Sequence, residues 1–134
     1  MADYTLANLK TDVEDQAPKH GLAPDLAGHF ARETLELQQS GVSYQRLAPG
    51  YRLAFGHKHA QQEEIYVIVA GSGRAKLGDE IVEVKAWDAL RVPPDTWRCF
   101  EAGDDGLELI AFGARCGMAP DASDVEIEPG WWRD

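Results

Sequence analysis

Apolar and polar residues alternate with a period of two through the middle of the chain, in short segments separated by turn residues. That period is the signature of strands with one buried face. Nine segments fit it: residues 34–39, 42–47, 51–59, 63–70, 74–77, 81–85, 89–92, 96–101 and 107–113. Between them stand Ser40-Gly41, Ala48-Pro49-Gly50, Gly71-Ser72-Gly73, Gly78-Asp79-Glu80, Pro93-Pro94-Asp95 and a loop over 102–106. Strands at this spacing predict an all-β sandwich or jelly roll. Segment 63–70 is the most apolar, and the run LELIAFG over 107–113 reads as buried.

The flanks differ in texture. Residues 1–21 are polar, with Leu6, Leu9 and Val13 loosely on one helical face, which suggests an arm that packs on the barrel or on a neighbouring subunit, or stays partly disordered. Leu22, Leu26 and Phe30 recur every four residues and predict a short helix over 24–32, with Asp25 as its cap. The tail over 114–134 contains Pro120, Pro129 and Gly130 and ends in Trp131-Trp132-Arg133-Asp134. It reads as irregular, and its two tryptophans are expected to cover the barrel or a subunit contact, since exposed indoles are costly. The chain thus divides into an N-terminal arm with a short helix (1–33), a barrel (34–113) and a packing tail (114–134).

Chemistry concentrates in YRLAFGHKHAQQEEIYVIVAG, residues 51–71. On an extended strand His57 and His59 point to the same side, and Glu64 opens the next apolar strand on a face shared with Tyr66. Two imidazoles and a carboxylate converging from adjacent strands are a workable set of metal ligands. The net charge of -10 argues against a nucleic-acid partner, which needs a basic surface. The apolar run 65–70 is too short to span a bilayer, so no membrane partner is expected. Cys99 and Cys116 fit no zinc or redox spacing, and the first residues lack a signal-peptide core. A cytoplasmic protein with reduced thiols is expected.

The spacing from His57 to Gly71, H-x-H-x4-E-x6-G, resembles the first motif of the cupins. A second cupin motif is recognisable in WDALRVPPDTWRCF, residues 87–100. The resemblance covers residues 34–113 and implies a single jelly-roll barrel, a double-stranded β-helix, holding a divalent metal (Fe, Mn, Ni or Zn) through three histidines and a glutamate. Three of those positions fall on His57, His59 and Glu64. The fourth, usually histidine, is Arg98. Trp87 and Asp95 replace the glycines of the second motif, Ala102 its closing asparagine, and Gly50 lies one residue further from His57 than is usual.

A guanidinium stays protonated and cannot ligate a metal. Two arrangements follow if Arg98 points inward. In one it pairs with Glu64 and fills the metal's place, leaving a metal-free, non-catalytic binding or sensing barrel. In the other His57, His59 and Glu64 keep the metal, and Arg98, with Tyr66 and Phe100 on inward faces, meets a small polar or anionic molecule. A site of two histidines and one carboxylate with open positions suits an oxygenase, isomerase or lyase. Tyr44 and Arg46 share a face and are weaker candidates for the interior. Cys99 is expected on the outward face of its strand, and His20 and His29 at the surface. Exposed sheet edges suggest a homodimer, with residues 34–47 and the tryptophan tail as the contact surfaces.

Overall fold

The computed structural model describes residues 1–114 and 124–134 of the chain. Among these described residues eight strands follow one 3-10 turn at Ala17–His20: β1 Leu26–Phe30, β2 Ser40–Leu47, β3 Phe55–His59, β4 Glu64–Leu77, β5 Glu80–Lys85, β6 Ala89–Val92, β7 Arg98–Ala114 and β8 Val125–Pro129. β4 and β7 are long antiparallel partners, and each serves two sheets. Their halves Glu64–Gly71 and Leu107–Gly113 pair with each other and with β6 and β2, giving the order β1-β2-β7-β4-β6. The other halves, Gly73–Leu77 and Arg98–Ala102, give β8-β3-β7-β4-β5. Side chains from both sheets, among them Leu47, Tyr66, Ile68, Val84, Val92, Phe100, Leu107 and Leu109, form one core. This is a jelly roll, as the alternating pattern predicts.

Several local expectations are corrected. The helix expected over 24–32 is strand β1, paired with β2 from Leu26↔Leu47 to Phe30↔Ser43. A spacing of four is even, so Leu26 and Phe30 also share one face of a strand, and Gly28 between them disfavours a helix. The strand expected over 34–39 is a series of turns: the Leu35 N–H bonds Ala31 O, the Leu37 N–H bonds Arg32 O, and Glu36 has φ 58°. Ser40-Gly41, expected to turn, begins β2 instead. The strand expected over 51–59 is shorter, beginning at Phe55, with Arg52 in a lone bridge to Glu101.

Gly71-Ser72-Gly73 and the expected loop over 102–106 also do not end their strands. They lie within β4 and β7, and the register shifts there mark where the pair bends from one sheet into the other. The tail, expected to be irregular, supplies β8, which pairs with β3 over all five residues. Cys116 and Pro120 lie outside the described residues.

The two ends of the chain are tied to the barrel. Asp15 Oδ1 accepts the Gly28 and Ala17 N–H groups, and Lys10 Nζ lies over the Tyr44 ring and near Glu108. Tyr44 donates to Glu108 on the face opposite the core, so neither it nor Arg46, which bonds Pro24 O, enters the interior. His29, expected at the surface, is half-buried with Nδ1 2.7 Å from Val13 O. At the other end Trp132 is 5% exposed, with Arg52 and Arg74 against its ring, and Trp131 stacks on Trp97. The tryptophans therefore cover their own barrel. Cys99 is on the face opposite Phe100 as expected, yet buried, with its Sγ 3.4 Å from Leu53 O, and burial pushes its thiol up to about 11. Among the described residues no helix is long and apolar enough to cross a membrane.

Candidate metal centre

β3 and β4 bring His57, His59 and Glu64 together. The alternation of β3 puts both imidazoles on one side, with ring centroids 5.2 Å apart and nearly perpendicular. The four residues 60–63 return the chain so that β4 starts at Glu64. Nε2 of His57 lies 3.3 Å and Nε2 of His59 3.1 Å from the same carboxylate oxygen, Oε1 of Glu64. All three ligand atoms fall within 4.8 Å of one another. Donors each about 2.1 Å from one ion lie about 3.0 to 3.4 Å apart in octahedral or tetrahedral geometry. The two histidine–glutamate distances match that spacing.

Glu64 Oε1 also accepts Tyr66 Oη–H at 2.6 Å and Arg98 Nη1–H at 2.6 Å. Burial alone would raise the Glu64 carboxyl, but the bonds from His57, His59 and Tyr66 outweigh it and hold the group well below the usual carboxylate range. Glu64 is therefore an anion. Burial and then the Glu64 charge hold the Tyr66 phenol well above its ordinary value, so Tyr66 remains a donor. Phe100 packs its ring on Tyr66 with centroids 4.8 Å apart, and both lie within the core.

Arg98 is the register partner of His57 across β3 and β7, which places both side chains on one face. It is fully buried. Only Nη1 meets Glu64; Nη2 bonds the carbonyls of Pro93, Pro94 and Thr96, and Nε bonds Thr96 O again. The Pro93-Pro94 turn thus aims a cluster of carbonyls at the guanidinium and fixes it beside Glu64. Its contact with Glu64 is single rather than bidentate, so the carboxylate stays turned toward the two imidazoles.

Sequence reasoning missed Asp124. Its Oδ2 lies 2.9 Å from Nδ1 of His59, and its Oδ1 accepts the Gln61 N–H at 2.8 Å. No spacing in the sequence ties a tail aspartate to a histidine 65 positions earlier; only the pairing of β8 with β3 does. A cleft of about 580 Å³ lies against Arg74, Lys85, Asp88 and Glu101 and is lined by none of His57, His59 and Glu64.

A family model for the cupin domain matches residues 43–112. The chain belongs to the cupin family. A cupin protein from Bacteroides fragilis has a similar structure, with 27% identity, TM-score 0.70, and coverage of 90% of this chain and 92% of that one. A sugar phosphate isomerase from Silicibacter pomeroyi superposes with TM-score 0.63 at 19% identity, over 78% and 76% of the two chains. A predicted oxalate decarboxylase from Thermotoga maritima gives 0.60 at 23%, over 68% and 81%. At these identities the latter two share the fold alone. An uncharacterised protein of Methanocaldococcus jannaschii is 48% identical over 40 residues, which is 30% of this chain and 32% of that protein. The match spans about a third of that relative's length. Within the family pattern Trp87, at the position of a motif glycine, keeps a glycine-like φ of 74°. The residue departs from the motif while the backbone retains a conformation suited to glycine.

Proposed function

We propose that this cupin binds a divalent metal through His57, His59 and Glu64 and takes a small anionic molecule there, as a metal-dependent oxygenase, isomerase or lyase. One observation carries the reading: both imidazole Nε2 atoms converge on Glu64 Oε1 at 3.3 and 3.1 Å. With Nδ1–H of His59 given to Asp124, only a second proton on Nε2 lets the ring donate to Glu64 Oε1, and removing that proton leaves two acceptors facing each other. A cation between them satisfies both. When bound, a divalent ion supplies a Lewis acid that polarises a ligand oxygen.

The charges of the site support an anionic ligand. A divalent ion and the Arg98 guanidinium, set against the Glu64 and Asp124 carboxylates, leave one positive charge in a partly buried place. A carboxylate or phosphate offsets it. Arg98 gives Nε and Nη2 to carbonyls and Nη1 to Glu64, and in this reading it contributes fixed charge, with Tyr66 steadying the carboxylate and Phe100 backing Tyr66. Two of the similar proteins are named for anionic substrates, oxalate and a sugar phosphate.

A second reading rests on the 2.6 Å Arg98–Glu64 pair, which already neutralises the carboxylate and fits a metal-free binding barrel. Metal analysis after reconstitution separates the two. The protein is incubated separately with iron(II), manganese, nickel and zinc, desalted and assayed. One ion per chain in wild type, lost in His57→Ala and in His59→Ala, is the expected result. Wild type that retains none of the four metals rules out the first reading and leaves the second.

The same proposal takes the barrel as a homodimer. Met1, Tyr4 and Leu6 of the arm are exposed, and so are Ile65 and Phe112, register neighbours on the outer face. These surfaces replace the tryptophan tail as the contact, since the tail packs on its own barrel.

A further inference from the structure

Resting on the metal reading above, we infer that Asp124 is a positioning residue for the centre: it holds His59 with Nε2 turned toward Glu64 and so selects the nitrogen that meets the ion. Asp124 is itself held in place. Its Oδ1 accepts the Gln61 N–H at 2.8 Å, its carbonyl accepts the Ala60 N–H at 2.8 Å, and the next residue, Val125, is the register partner of His59. The carboxylate is thus bound to the backbone of the segment it orients. Its remaining oxygen, Oδ2, lies 2.9 Å from Nδ1. An ionised carboxylate only accepts, so Nδ1 carries a proton and Nε2 is the nitrogen left to present its lone pair to an ion. A carboxylate behind a ligating imidazole fixes its tautomer and ring plane and makes it a stronger donor to the metal.

The two histidines are not equivalent in this respect. Among the described residues none offers Nδ1 of His57 a hydrogen bond, so His57 relies on the fold of β3 for its direction. The dependence on an outside carboxylate falls on His59 alone. The carboxylate comes from the residue that leads into β8, the strand that completes the sheet beside β3.

The test titrates full-length wild type, Asp124→Ala and Asp124→Asn with zinc against a chelator, then records long-range ¹H–¹⁵N spectra of the imidazoles in the zinc-loaded proteins. Asp124→Ala is expected to bind zinc about 10- to 100-fold more weakly, with Asp124→Asn between it and wild type. In loaded wild type the Nδ1 proton of His59 should be sharp and slow to exchange with water. In Asp124→Ala that protection should be lost while His57 is unchanged. If Asp124→Ala binds zinc within about twofold of wild type and its His59 spectrum is the same, Asp124 only ties the loop, even where the metal-free protein melts lower. Should Asp124→Ala not fold, Asp124→Asn decides by the same two readouts. Wild type that takes up no zinc overturns the metal reading for that ion and this inference with it, an outcome distinct from equal binding by wild type and variants.

Discussion

Glu64 concentrates the opposing forces of the site in one carboxylate oxygen. It is buried, which favours the neutral acid, yet donors from His57, His59 and Tyr66 keep it ionised. A carboxyl whose value is lowered on folding stabilises the fold above its unfolded value of 4.5, and that stability is lost as the pH falls through the lowered folded value. Urea unfolding of chelator-treated wild type should therefore weaken progressively below about pH 4.5. In Glu64→Gln this dependence should flatten. The variant should also be less stable at neutral pH by about 3 to 5 kcal/mol, because Arg98 is left as a buried charge without its counter-ion. Equal stability of the two proteins at pH 7, or identical acid limbs, would refute this account. At this scale the sequence was partly legible. The pair His57 and His59 could be read because strand alternation is rigid, and Glu64 because a strand follows the return loop. The direction of the Arg98 fork could not be read, since it is set by three carbonyls on a turn, and backbone carbonyls carry no mark in a sequence.

At the scale of elements, Gly71 and Gly73 show how one residue type carries two messages. In the sequence they punctuate, and they suggested a turn between two strands. In the structure they permit close passage: a Cβ at Gly71 would overlap the Gly106 carbonyl, one at Gly73 would overlap the Glu101 carbonyl, and Gly71 has φ 76°. The chain runs on through both in β4. Gly71→Ala and Gly73→Ala should each destabilise by more than about 1 kcal/mol, whereas Gly41→Ala in β2, with open space around it, should be neutral or slightly stabilising. Thermal melts of the three variants check this, and a Gly73→Ala protein as stable as wild type would contradict the close approach. The same ambiguity of pattern explains β1: apolar residues four apart satisfy a helix and a strand alike, and the sheet partner β2 decides. The positions of β5 and β6 were legible because a tight Gly78-Asp79 turn and a double proline bound them.

For the whole molecule, the outer face of the β2-β7-β4 ladder places Val42, Phe112 and Ile65 side by side, and the last two are 44% and 42% exposed. Light scattering at micromolar concentration should give a dimer. Phe112→Glu, or deletion of residues 1–7, should shift it toward monomer. A wild-type monomer would remove the proposed interface. The architecture was legible from the strand count and alternation, but the last sheet edge was not. β8 is short, with two glutamates and a proline among its five residues, and it becomes a strand only because β3 offers it an unpaired edge. The length of β4 and β7 has a further consequence. Their ladder passes from the half that carries Glu64 into the half that carries Arg98 and pairs with β3 at His57, without a loop to act as hinge. Neither sheet can melt or swing open by itself without tearing hydrogen bonds inside a strand that both share. Local unfolding at His57, Glu64 and Arg98 is thereby coupled to the disruption of the entire barrel, and amides in the two sheets should lose their hydrogen-exchange protection together.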